Sequence, residues 1–232
     1  MWPQDPMTNV LFLLRWLHFL AGITWIGMLY FFNLVNVQFM KELDAASKGK
    51  VVPNLMPKAL WWFRWGAFWT VVAGLALHMA TVTSEAHGLP AYFWIWLVVV
   101  LAAFSAGTGL FRAFTKDGRA LFAAYLILML VMSAILWNVH VAANASWKVL
   151  SIAIGGGMGI IMFMNVWMVI WPLQKKIIAA TKAQAEAGTA SPAEMSVWAR
   201  RAFLASRTNA WLSVPLLFFM GAASHFPIGI GK

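Results

Sequence analysis

The chain of 232 residues contains no cysteine. That absence excludes disulfides, thiolate metal sites, iron–sulfur clusters and c-type haem attachment through Cys-x-x-Cys-His. Acid is scarce too, with seven Asp and Glu against seventeen Lys and Arg. None of the seven lies centrally in an apolar segment, so a paired-carboxylate site or a soluble-type catalytic triad has no support. Phosphate-loop and dinucleotide signatures are also missing. The run Gly155-Gly-Gly157-x-Gly159 sits in an apolar helix with no Lys-Ser/Thr after it, and reads as close helix packing. Gly107 and Gly109 have the first spacing of a dinucleotide fingerprint but no strand pattern before them. Met1 to Asn9 carries no basic residue, and the apolar run after it outlasts a signal peptide, so it reads as a span that stays.

Apolar residues fill the space that charge leaves. They make up 62% of the chain and charged residues only 10%, where a soluble domain has about 45–50% and about 25%. The fold class is therefore an all-α integral membrane protein, a bundle of about six transmembrane helices forming one domain, residues 1–232. The spans fall roughly at 8–38, 59–83, 91–114, 120–143, 147–180 and 209–225, with a polar cytoplasmic segment at 181–208. Pro53 and Pro57 are expected to break the polar loop 41–58 before the second span. Ser191-Pro-Ala-Glu194 has the form of a helix start.

Lys and Arg alternate from loop to loop. They crowd the first loop (Lys41, Lys48, Lys50, Lys58), the third (Arg112, Lys116, Arg119) and the fifth (Lys175, Lys176, Lys182, Arg200, Arg201, Arg207). The positive-inside rule then puts both termini on the periplasmic side of a bacterial inner membrane. The same rule accounts for the formal charge of +10 without any nucleic-acid partner. Tryptophans near span ends, among them Trp61, Trp62, Trp94, Trp96, Trp147 and Trp171, fit interfacial belts.

Within the first span, Arg15, His18, Gly22 and Trp25 share one helical face. Ionisable side chains inside a membrane are costly and face the bundle interior. His18 lies about 12 Å from the outer end of its helix, at 1.5 Å per residue. His78, His140 and His225 come from three other spans and fall in the same outer half; His87 lies in an outer loop. Imidazoles from facing helices are the usual way a bundle builds a cofactor site. With no thiol available, haem b, one or two copies, matches the donors best. The deeper pair, His18 and His78, would hold one haem. Gly22 and Gly74, each one turn from a histidine, would leave room for the macrocycle, and Arg15 would meet a propionate or snorkel outward. His140 and His225, with Asn144, would ligate a second haem or face a substrate. A single non-haem metal on three or four of the histidines is the competing cofactor. Asn138 and Thr24 are further candidate substrate contacts, whereas Asn33, Asn36 and Asn165 read as interhelical hydrogen bonds.

Four stretches carry a family likeness. They are Leu17-His-Phe-Leu-Ala-Gly-Ile-Thr-Trp-Ile-Gly27, Tyr30-Phe-Phe-Asn-Leu-Val-Asn36, Leu60-Trp-Trp-Phe-Arg-Trp-Gly-Ala67, and Ser206-Arg-Thr-Asn-Ala-Trp-Leu-Ser-Val-Pro-Leu-Leu-Phe-Phe-Met220 with Ser224-His-Phe-Pro227. Together they resemble the membrane domain of the PuuD-type urate hydroxylases, a urate oxidase N-terminal family. The motif around His18 is more loosely similar to haem-binding membrane proteins of the protoporphyrinogen-oxidase and copper-resistance families. The urate hydroxylase likeness implies oxidation of urate to 5-hydroxyisourate, with electrons passed to a cytochrome c often fused at the C-terminus. No haem c motif occurs in this sequence, so a separate periplasmic cytochrome c or another redox subunit would serve.

Two further readings stand beside the enzyme. One is a non-catalytic cytochrome b-type electron-transfer or anchor subunit. The other is a transporter using histidines for metal or protons, which the lack of an inverted repeat and of mid-membrane acids disfavours.

Overall fold

Short polar side chains start the helices of this chain. Asp5 accepts from the Met7 and Thr8 backbone N–H groups, with Pro6 in the first turn. Asp44 accepts from the Ser47 N–H at 2.8 Å and its hydroxyl at 2.9 Å. Asp117 accepts from the Arg119 and Ala120 N–H groups, and Ser146 from Val149 N–H. Each bond satisfies a donor that the first turn leaves orphaned. The same bonds hold the three carboxyls below their ordinary range. The Thr8 hydroxyl contributes most at Asp5, the Ser47 N–H at Asp44 and the Ala120 N–H at Asp117.

The computed structural model describes residues 5–85 and 90–226. Among the described residues there are six long helical stretches and no strand. They are α1 (Pro6–Glu42), α2 (Ala45–Glu85), α3 (Pro90–Ala113), α4 (Gly118–Ala142), α5 (Trp147–Ala187) and α6 (Met195–His225). Two of them widen into π-helix, α1 at Phe31–Asn36 and α5 at Asn165–Ile170. In α5 the widening precedes Pro172, whose ring would otherwise press on the carbonyl one turn back.

Helices α1 to α5 are each long and apolar enough to cross a membrane. The expected sixth span is the second half of α6. Its first half carries Arg200, Arg201 and Arg207, and α6 as a whole is not among those five. Even so, α6 runs antiparallel beside α5 within the bundle. Asn165 donates to Asn209 at 2.8 Å, and a methyl placed on Gly159 or Gly155 would meet Leu216 or Met220 respectively.

Three local expectations are corrected. The polar loop 41–58 is helical except at Leu43 and Asp44, because the Asp44 cap starts α2 early. Pro53 and Pro57 lie inside α2 rather than before it; the Lys50 carbonyl, one turn back, takes a bond from the Asn54 amide at 2.7 Å. The last helix starts at Met195, not at Ser191, whose hydroxyl instead donates to Gln184.

Helix α5 is the centre of the bundle and α1 its periphery. Of the apolar window in each, 78% is buried in α5 and 11% in α1. The glycine run makes that possible. A methyl on Gly155 would sit 2.7 Å from Met220 Cε and 3.0 Å from Phe219 Cβ, and one on Gly157 3.0 Å from Val100 Cγ2. Small residues let α3 and α6 approach the α5 backbone this closely. Trp96, expected in an interfacial belt, is instead 1% exposed and donates its indole N–H to the Ala153 carbonyl at 2.8 Å. Up to Tyr30, helix α1 buries only Ala21, Trp25 and Leu29, one stripe at four-residue spacing; its π-turn buries Phe32, Asn33 and Asn36 as well. Phe12, Trp16, Phe19 and Ile23 stay exposed on its other face, as suits a helix bordering lipid.

Candidate functional site

The seam between α1 and α2 seats His18. Its Nδ1 lies 2.8 Å from the Thr70 backbone carbonyl. A carbonyl only accepts, so Nδ1 carries the proton and Nε2 is left with its lone pair outward. A backbone carbonyl holding the far nitrogen is the usual support of a ligating imidazole. Thr70 is itself fixed by its hydroxyl bond to the Gly66 carbonyl at 2.7 Å. Gly74 forms the floor: a methyl there would be 2.9 Å from His18 Cε1 and 3.1 Å from Nδ1.

His78 stands one turn beyond Gly74 and packs against α3. It is 3% exposed. Its ring packs edge-on against Trp96, with centroids 4.6 Å apart, and lies 5.8 Å from Phe93. Both ring nitrogens are buried with no hydrogen-bond partner. Each such orphan costs about 1–3 kcal/mol, so a ring with two of them requires an explanation. A group that binds imidazole nitrogen supplies one. Donor chemistry therefore fits haem b at His18 and His78. Space is a separate matter. The room at Gly74 is taken by the His18 ring itself, and a methyl on Gly22 would meet Thr70 at 3.8 Å. These glycines let α1 and α2 pack closely around His18.

The remaining candidates are more scattered. Arg15 is exposed, while Trp25 is 2% exposed with its indole N–H unpartnered. His140 is half-buried near the end of α4, its Nδ1 enclosed without a partner. Asn144 is exposed in the left-handed region at φ 48°, and His225 is exposed at the end of α6. Trp137 of α4, Leu150 of α5 and Phe219 of α6 line one cavity, so His140 and His225 belong to the half of the bundle that holds His78. No hydrogen bond or ring contact joins His140, Asn144 and His225. Among the described residues, no group of three or more His, Cys, Asp or Glu is placed to hold a metal ion. His87 lies outside the described residues. Thr24 and Asn138 bond carbonyls of their own helices, Leu20 and Ala134.

Sequence reasoning missed the second locus, at the opposite end. There the two π-turns grip α6 from either side. Asn33 donates to Ser206 Oγ at 2.9 Å and Asn165 to Asn209 Oδ1 at 2.8 Å. Tyr30 and Ser213 hydroxyls lie 3.0 Å apart. Between the turns is a cavity of about 410 Å³ walled by α1, α2, α5 and α6. Asn33 and Asn165 were expected as interhelical bonds and are so. Asn36 is not: its Oδ1 is buried without a partner. The only hint in the sequence was the density of asparagine in 30–36.

No curated protein and no solved structure matches the chain significantly. The model of one family, described as urate oxidase N-terminal, matches residues 43–232. The match takes in α2 to α6, with His78, the glycine run and three walls of the cavity, and starts just after α1. Covering more than half of the sequence, it shows that the chain belongs to the urate oxidase N-terminal family.

Proposed function

We propose that this protein is a membrane-bound, haem-dependent oxidoreductase that oxidises urate to 5-hydroxyisourate and passes the electrons to a periplasmic cytochrome c-type carrier. Family membership supports urate. The observation that carries the redox reading is His78, an imidazole sealed in apolar packing with both nitrogens unpartnered. The loop charges support a basic cytoplasmic end and a histidine-bearing outer end.

Urate oxidation removes two electrons, takes oxygen from water and releases two protons. Haem b, held by His18 and His78, would supply reversible one-electron iron chemistry. The chain's own contribution is placement. Thr70 fixes the His18 tautomer so that Nε2 faces outward as a donor. Phe93 and Trp96 keep water from His78, and the Trp96–Ala153 bond holds that wall to α5. Arg15, one turn from His18, would meet a propionate. His140, near the outer end, would accept protons there. Asn144 and His225 are exposed, so the reading rests on neither.

The test is an absorption spectrum and haem-to-protein ratio on purified protein expressed with haem supplied, followed by urate-dependent reduction of cytochrome c in membranes. A Soret band lost in His78→Ala and in His18→Ala, and reduction dependent on urate, are expected. No Soret band in the parent protein removes the haem reading.

A cytochrome b-type subunit without catalysis is the second reading. What favours it is that His140, Asn144 and His225 are not drawn together. A low-spin haem inert to urate, in a protein that co-purifies with other redox subunits, would decide for it.

A further inference from the structure

We infer that the α2–α5 seam at the basic end of the bundle binds the phosphate of an anionic phospholipid through Arg64 and Lys175. The site is separate from the histidines and does not depend on the urate reading.

Arg64 has its flat face occupied and its edge free. Its guanidinium carbon lies 3.5 Å from the centre of the Trp171 ring and 5.4 Å from that of Trp167. A planar, weakly hydrated cation suits such stacking. Stacking leaves the in-plane N–H groups for other partners. A guanidinium has five of them. The Nε group donates to the Leu60 carbonyl of its own helix at 3.3 Å. The other four meet no acceptor among the described residues. Arg64 is half-buried, yet its terminal nitrogens are not sealed in the packing, so a ligand can reach them.

A second cation shares the same indole. Lys175 Nζ lies 5.5 Å from the centre of the Trp171 ring. Among the described residues, neither Arg64 nor Lys175 pairs with an acid. Two like charges gathered on one ring repel each other, and an anion beside them offsets that repulsion.

Depth in the membrane identifies the anion. Arg64 and Ser84, where the apolar stretch of α2 ends, are twenty residues apart, about 30 Å by helical rise. That is the thickness of a bilayer's hydrocarbon core. With Ser84 at one edge of the core, Arg64 lies at the other, level with lipid phosphates. Trp61, Trp62 and Trp69 are exposed on α2 around it, as indoles are at a membrane interface. The arginine fork matches two phosphate oxygens, and the lysine meets the charge as a point. The acyl chains would lie along the exposed indoles, which a free phosphate would leave bare. Choline, which aromatic boxes also take, is itself a cation, and Arg64 already covers the Trp171 ring.

The test uses the detergent-purified full chain after washing to remove lipid. It is titrated with dioleoylphosphatidylglycerol or dioleoylphosphatidylcholine, and bound lipids are counted by native mass spectrometry. Inorganic phosphate in large excess is then added as a competitor. The first phosphatidylglycerol should bind about tenfold more tightly than phosphatidylcholine and resist displacement by phosphate. Arg64→Gln should weaken it about tenfold and Lys175→Gln about threefold. Arg119→Gln, which removes an exposed cation at the start of α4, should leave it unchanged. Melting curves without lipid show which variants are folded. Lys175 is exposed, so its variant still tests the site if loss of the Arg64 stack unfolds the chain. Equal binding of the two lipids overturns the site, as does unchanged phosphatidylglycerol affinity in either folded variant. A loss in Arg119→Gln as large as that in Arg64→Gln overturns it too, because diffuse attraction to the basic loops then suffices. Displacement by inorganic phosphate overturns the lipid assignment.

Discussion

The His18 imidazole rests on Gly74: a single added methyl would lie 2.9 Å from its Cε1. The α1–α2 seam is thus shaped by one missing side chain. Gly74→Ala should push the ring off its seat and strain the Nδ1 bond to Thr70. Overpacking of this kind costs about 1–3 kcal/mol. A lower thermal midpoint together with a lower haem-to-protein ratio is expected, and His18 must shift for both to occur. An alanine variant with unaltered melting and spectrum would show that the seam gives way freely.

His78 should behave in opposite ways in the empty and loaded protein. His78→Leu removes two buried orphan nitrogens, each costing about 1–3 kcal/mol, and keeps an apolar side chain against Trp96. Protein prepared without haem should therefore melt at or above the parent's midpoint. Protein prepared with haem should lose most of its Soret absorbance. Leucine that lowers the midpoint of the haem-free protein by several degrees would mean that the imidazole has partners in the fold.

Glycine matters along α5 because α6 is so near. Gly155→Ala places a methyl 2.7 Å from Met220 Cε, 3.0 Å from Phe219 Cβ and 3.3 Å from the Leu216 carbonyl. The methionine end can swing aside, but the Leu216 backbone cannot follow as easily. A loss of about 1–3 kcal/mol is expected. Gly109→Ala is the control, since nothing lies within 4 Å of its added methyl. Equal denaturation midpoints for the two would count against the close α5–α6 contact.

The helix caps set an acid limit. Asp44 and Asp117 hold their protons less tightly than free aspartate because backbone N–H groups bond the carboxylate. A lowered folded value means that the cap is fully present above the ordinary value of 3.8 and is lost as pH falls through the lower folded one. Asp117→Asn keeps a side-chain acceptor without that titration. Its melting temperature should fall less steeply than the parent's when pH is taken from 5 down to about 2. Parallel curves would show that the cap contributes no acid sensitivity.

Local chemistry was legible and distant partnership was not. The glycine run packs tightly as its small side chains imply, whereas Ser191, read as a helix start, bonds Gln184 instead. The error at Pro53 and Pro57 has a local cause as well: the Asp44 cap, three residues before Ser47, starts the helix ahead of both prolines and it runs on through them. Trp96 misled for another reason. Tryptophan near a span end suits an interface, but here the Ala153 carbonyl offers its N–H a buried partner on another helix. The π-turns left no periodic signal that sequence reading could use, since six residues are too few to shift an apolar pattern.

By itself, the sequence determined a helical membrane protein, its basic loops, and imidazole as its main strong metal-binding donor. Composition and helical period suffice for that, because bilayer and backbone act on every residue alike. The tertiary structure alone decided that His18 would be set on Gly74 and tied to Thr70. It alone sealed His78 against Trp96 and opened a cavity beside Asn36. Those outcomes depend on how one helix slides and turns against the next. That register is set by close contacts between residues far apart in the chain, which no single stretch contains.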